Sequence, residues 1–165
     1  MLRSIGLAAL AMGVSLAGFV PHADAAIISY TAILDGPSES PANSSPGTGY
    51  ALVDIDTGAN TMRVRITFSG LTGTTTASHI HAATATPGAG TAGVATTTPT
   101  FAGFPLGVTS GSYDQTLDLT AASSYNPAYV TANGGTTAGA QAALLAAIAA
   151  GTSYVNVHTS AFPGG

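Results

Sequence analysis

Three histidines are the residues of this sequence best suited to chemistry. His79 and His81 are separated by one residue, and His158 closes the segment 154–158, which reads Tyr-Val-Asn-Val-His. Side chains two positions apart on a β-strand point to the same face. If both segments are strands, His79 and His81 share one face, and His158 lies opposite the two valines of its strand. Pairing of the two strands would then bring three imidazoles into one patch.

Three neutral imidazoles in one patch are suited to binding copper or zinc. We therefore predict His79, His81 and His158 as metal ligands and copper or zinc as the cofactor, and we assign no catalytic residue. Residues 83–105, which are rich in Thr, Ala, Gly and Pro, form a candidate loop over the patch. The alternative is that the histidines only form hydrogen bonds and brace the surrounding loops.

The other polar residues predict no second site. Asp54 and Asp56 lie beside a turn, and the remaining acids lack the regular spacing of a Ca²⁺ loop, so we interpret them as a solvated surface. The absence of cysteine excludes disulfides and thiolate ligands. The chain has three basic residues, and charged residues make up 6% of it. We therefore expect no binding to nucleic acid, which needs clustered Lys and Arg; the identity of any protein partner stays open.

The first 25 residues are typical of a secretory signal peptide. An apolar run, residues 5–20, follows a single arginine and precedes the small-x-small pattern Ala23-Asp24-Ala25. We predict a signal peptide over residues 1–25, cleavage between Ala25 and Ala26, and a secreted or periplasmic domain, residues 26–165, without a membrane span. The alternative is an N-terminal anchor helix, for which the apolar run is short.

The rest of the chain predicts a mainly β fold. Alternating and β-branched runs predict strands over residues 27–34, 50–56, 61–68, 77–82 and 152–159, with weaker strand pieces near Val94, near Val108 and over 116–119. Strong helix formers predict a helix over residues 137–150, with a threonine cap at its start and Gly151 at its end. We expect residues 83–105 to be too polar for the core. These elements favour an antiparallel β-sandwich or partial barrel with one late α-helix.

Several segments together resemble the CHRD (chordin) domain family. The similar segments are residues 30–41, 47–51, 68–71, 78–81 and 154–165, in the order and spacing of the family. The resemblance implies an extracellular β domain of the type found in animal chordin and in bacterial secreted proteins. The family normally continues into one more strand after the Pro-Gly-Gly that closes this sequence. We therefore expect a CHRD-like domain over residues 26–165, with two alternatives for its end: the sequence stops short of the family's final strand, or the domain lacks that strand.

A looser resemblance links the histidines to the copper site of copper-zinc superoxide dismutase. Ser-Gly-Leu-Thr at residues 69–72, the His79-Ile80-His81 strand and the late Val157-His158 pair are similar to that family's copper-binding strands. The bridging histidine, the zinc ligands, the cysteines and an arginine near the C-terminus have no counterpart. The resemblance implies at most a copper-only site.

Three hypotheses for function follow. The favoured one is a secreted, non-enzymatic β-sandwich module whose histidine face binds a transition metal or a partner. The second is a copper-dependent redox enzyme or a copper carrier of superoxide-dismutase-like type. The third is a purely structural extracellular domain. Metal binding by His79, His81 and His158 distinguishes the first two hypotheses from the third.

Overall fold

A four-stranded antiparallel sheet forms the larger layer of the fold. The structure is a computed structural model that describes residues 26–165; the expected signal peptide, residues 1–25, lies outside them. The strands of this sheet are β1 (Ile27–Asp35), β2 (Thr48–Asp56), β3 (Thr61–Ser69) and β5 (Gly111–Asp118), in the spatial order β1-β2-β3-β5. Strands β1, β2 and β3 and the β2–β3 hairpin confirm the sequence prediction.

Alternation along β2 and β3 creates the core face of this sheet. Val53, Ile55, Met62, Val64 and Ile66 are buried, whereas the residues between them face solvent. This is the period-2 pattern of a sheet with one wet face.

The wet face carries the arginines of the described chain in two ion pairs. Arg63 donates two hydrogen bonds to the carboxylate of Asp114, at 2.7 and 2.6 Å, and Arg65 pairs with Asp54. Both pairs join neighbouring strands of the four-stranded sheet.

A two-stranded sheet forms the second layer and positions the histidines. It consists of β4 (Thr75–Ala82) and β6 (Ser153–Thr159), paired antiparallel so that His79 faces Asn156 and His81 faces Tyr154. Ile80 is 2% exposed and packs into the apolar core that both sheets share. The histidines therefore lie on the opposite face of β4, as the alternation predicts.

Two α-helices lie between β5 and β6. The short helix α1 spans Pro127–Ala132, in a region where the sequence predicted a helical turn or a loop, and α2 spans Thr137–Ala149 as predicted. The Thr136 hydroxyl accepts a hydrogen bond from the Gly139 amide and caps α2. Buried residues Ala140, Leu144, Ala147 and Ile148 attach this helix to the core. None of the helices formed by residues 26–165 is long and apolar enough to cross a membrane.

Residues 83–105, which we call the cover segment, were expected to stay outside the core, and this expectation is wrong. Ala95, Thr96 and Phe101 are fully buried, and Phe101 stacks on Tyr113 at 5.4 Å between ring centroids. The predicted strand near Val94 is reduced to a single bridge with His81.

The cover segment also pairs with the free edge of β4. The Ala95 and Phe101 amides donate to the carbonyl oxygens of Ile80 and Ser78. Between these two backbone bonds, the Ile80 amide donates to the Thr96 hydroxyl at 3.0 Å. These contacts hold the cover segment beside the strand that carries His79 and His81.

Candidate metal centre

The pairing of β4 with β6 brings the three predicted ligands together. One ring nitrogen from each of His79, His81 and His158 lies within 4.8 Å of those of the other two. Nδ1 of His79 and Nε2 of His158 are 3.3 Å apart. We call this group the histidine cluster. All three side chains are buried, at 6%, 7% and 9% exposure.

Each ring of the histidine cluster uses its other nitrogen to bond a backbone carbonyl. His79 Nε2–H donates to Pro99 O at 2.6 Å, and His81 Nδ1–H donates to Ala92 O at 2.9 Å. His158 Nδ1–H donates to Pro163 O at 3.1 Å. Because a carbonyl oxygen only accepts hydrogen bonds, these contacts fix the proton on the outer nitrogen of every ring.

The fixed tautomers leave three unprotonated nitrogens inside the cluster. These are Nδ1 of His79, Nε2 of His81 and Nε2 of His158. Nε2 of His81 is buried and has no hydrogen-bond partner, which is costly for a polar atom. The close approach of His79 and His158 sets two lone pairs against each other. A cation bound to all three nitrogens would satisfy the orphaned atom and relieve this repulsion.

Burial keeps the histidine cluster neutral. Desolvation is the main cause that lowers the pKa of each of the three rings below the usual value of 6.5. Coulombic repulsion from a protonated His79 lowers the pKa of His81 and of His158 further. Neutral imidazole is the form that binds a metal ion.

Tyr154 braces the cluster from β6. Its ring stacks on His81 with centroids 4.8 Å apart and an interplanar angle of 8°. Its hydroxyl accepts a hydrogen bond from the Ala92 amide at 3.0 Å and donates one to the Ala92 carbonyl at 3.2 Å. Tyr154 therefore contacts both the ring of His81 and the carbonyl that orients it. The alternation of residues 154–158 placed Tyr154 on the histidine face, but the sequence did not assign it this contact.

The carbonyls of Ala92, Pro99 and Pro163 were missed by sequence reasoning. Any residue carries a backbone carbonyl, so no residue type marks these three positions. The cover segment supplies two of them, as expected for a loop over the patch, and residues 160–165, which we call the tail, supply the third. The Gly164 carbonyl also accepts a hydrogen bond from the Asn156 side chain at 3.1 Å, which ties the tail to β6.

Two acidic residues close turns, and of these only Asp56 was expected at a turn from the sequence. Asp56 accepts hydrogen bonds from the Gly58 and Ala59 amides and closes the β2–β3 turn, and Asp118 caps the turn at Thr120. Within residues 26–165 the histidine cluster is the group whose geometry fits a metal ion.

The comparison with protein families gives one match. The model of the CHRD domain family matches residues 30–165, which include most of β1, both strands of the histidine cluster and the tail. No curated protein and no solved structure matches the chain.

Proposed function

The chain belongs to the CHRD domain family, and on that premise we propose that it is a secreted β-sandwich module that binds one transition-metal ion, copper or zinc. The ligands are His79 Nδ1, His81 Nε2 and His158 Nε2. The module has no enzymatic role; the ion fixes the cover segment and the tail against the two-stranded sheet.

The three carbonyl-locked tautomers carry this proposal. A set of histidines that only braced loops could leave its inner nitrogens bonded to one another through a shared proton or to nearby hydroxyls. Here all three outer nitrogens donate to carbonyls, so all three inner nitrogens offer lone pairs. A backbone or carboxylate acceptor on the outer nitrogen is the usual arrangement around metal-binding histidines.

Metal titration of the purified protein tests the proposal. Copper or zinc should bind with one equivalent and raise the melting temperature, since a ligand that binds only the native state stabilises it. His81→Ala should abolish both the stoichiometric binding and the shift. Leu106→Ala, which shortens a side chain that is 50% exposed and lies outside the cluster, is the control and should leave both unchanged. If neither copper nor zinc binds with one equivalent, the result would favour the hypothesis of a purely structural domain.

Secretion is the second part of the proposal, and the pattern of residues 1–25 supports it. The exported protein should begin at Ala26, which intact-mass measurement of the secreted form determines. A secreted product that retains Met1 would contradict cleavage between Ala25 and Ala26.

A further inference from the structure

We propose that the histidine cluster selects monovalent copper, Cu(I), over the divalent ions Zn(II) and Cu(II). This inference rests on the proposed function and names the ion and its charge. Three features of the cluster carry it: the number of ligands, the enclosure of the site and its lack of negative charge.

The number of ligands favours an ion that is stable with three donors. The cluster offers three nitrogens, one from each of His79, His81 and His158. Zinc in proteins is almost always four-coordinate, and Cu(II) prefers tetragonal sites with at least four donors. Cu(I), a closed-shell ion, is stable with three nitrogen ligands in a plane.

The enclosure of the cluster disfavours a solvent molecule as the fourth ligand. Zinc sites with three histidines are completed by water or hydroxide. Here the cover segment closes one side through Ala92 and Pro99, and the tail closes another through Pro163. Nε2 of His81 is shielded from solvent, and the three histidines are buried.

The lack of negative charge penalises a divalent ion. No carboxylate of residues 26–165 joins the cluster, and the arginine-paired acids Asp54 and Asp114 lie on the other sheet. Burying an uncompensated charge is costly, and in a continuum description this cost grows with the square of the charge. A neutral, closed set of three imidazoles therefore holds a single positive charge at much lower cost than two.

Tyr154 and the three carbonyls keep the geometry trigonal. The stacked ring of Tyr154 prevents His81 from rotating, and each carbonyl restrains the ring to which it is bonded. Expansion to four ligands would require the cover segment or the tail to leave its backbone contacts.

Competition titrations under anaerobic conditions test the selectivity. Cu(I), measured against the chromophoric chelator bicinchoninate, should bind with one equivalent and roughly 1,000-fold more tightly than Zn(II). Ag(I), an air-stable monovalent ion, should also bind with one equivalent. The reduction potential of the bound copper should lie above that of the aqueous couple. Zn(II) binding as tight as Cu(I) binding would overturn the inference while leaving the proposed metal site intact.

A matched pair of variants isolates the effect of ligand charge on the Cu(I)-to-Zn(II) affinity ratio. His158→Glu replaces a neutral ligand with an anionic one and should narrow the Cu(I)-to-Zn(II) affinity ratio by at least about tenfold. His158→Gln, of the same shape without the charge, should weaken both ions and leave the ratio within about threefold. An equal ratio in the two variants would contradict the charge argument. If neither variant folds, the titrations of the unmodified protein still decide the selectivity, and failure of every ion to bind would instead overturn the proposed function.

Discussion

At the scale of single residues, two separate restraints orient each cluster histidine. The β-strand fixes which face the ring occupies, and a carbonyl at its far nitrogen fixes the tautomer. His79, His81 and His158 obtain these carbonyls from segments distant in sequence, at Pro99, Ala92 and Pro163. Metal affinity is therefore predicted to depend on the cover segment and the tail as well as on the ligands themselves.

The lowered histidine pKa values predict a specific loss of stability in mild acid. The unfolded chain takes up protons at its histidines near pH 6.5, whereas the folded chain resists until a lower pH. Between these points the unfolded state binds more protons, so the free energy of unfolding falls as the pH falls. We expect the melting temperature of the metal-free protein to drop between about pH 7 and pH 5.

The carboxylates contribute in a separate and more acidic range. Hydrogen bonds from Ser29 and from Arg63 are the main causes that lower the pKa values of Asp54 and Asp114, respectively, below 3.8. Their contribution to the free energy of unfolding is present above pH 3.8 and is lost as the pH falls below that value.

His158→Gln should flatten only the upper part of the melting-temperature profile, where the histidines titrate. A profile of the unmodified protein that is flat above pH 5 would contradict the lowered histidine pKa values.

At the scale of elements, the cover segment shows where the sequence was informative and where it was not. Alternation over residues 61–68 and the face shared by His79 and His81 follow from a period of two, and the structure confirms both. The Pro, Gly and Thr content of the cover segment gave no indication of its three apolar core residues, Ala95, Phe101 and Phe104. Irregular backbone has no fixed period, so hydrophobic spacing could not identify which of its side chains point inward.

Phe101 is the anchor of the cover segment, and its truncation should be costly. The side chain is fully buried and stacks on Tyr113, so Phe101→Ala should lower the free energy of unfolding by about 3–5 kcal/mol. Because the Phe101 amide bonds to β4 close to His79, metal affinity should fall as well. Chemical denaturation and metal titration measure the two effects.

Leu106 provides the matched control for Phe101. It follows the cover segment directly and is 50% exposed, so Leu106→Ala should change stability by less than about 0.5 kcal/mol. Equal effects of the two substitutions would mean that the cover segment is not anchored by Phe101.

At the scale of the whole molecule, the distribution of charge separates the cluster from every cation of the described chain. The formal net charge is −4. Arg63 and Arg65 lie on the outer face of the four-stranded sheet, each paired with a carboxylate, whereas the histidine cluster belongs to the two-stranded sheet. Binding a metal ion therefore relies on lone pairs and enclosure rather than on a charged approach.

This charge distribution predicts that the copper-loaded protein is a poor superoxide dismutase. Fast dismutation needs a field that draws the superoxide anion towards the metal, and here the net charge is negative and the arginines are neutralised. The enclosure by Ala92, Pro99 and Pro163 also restricts the access of superoxide to the bound copper. We expect a dismutation rate far below the diffusional limit and nearly independent of salt. A near-diffusional rate that falls as salt rises would reveal a steering field and would place the redox-enzyme hypothesis ahead of the binding module.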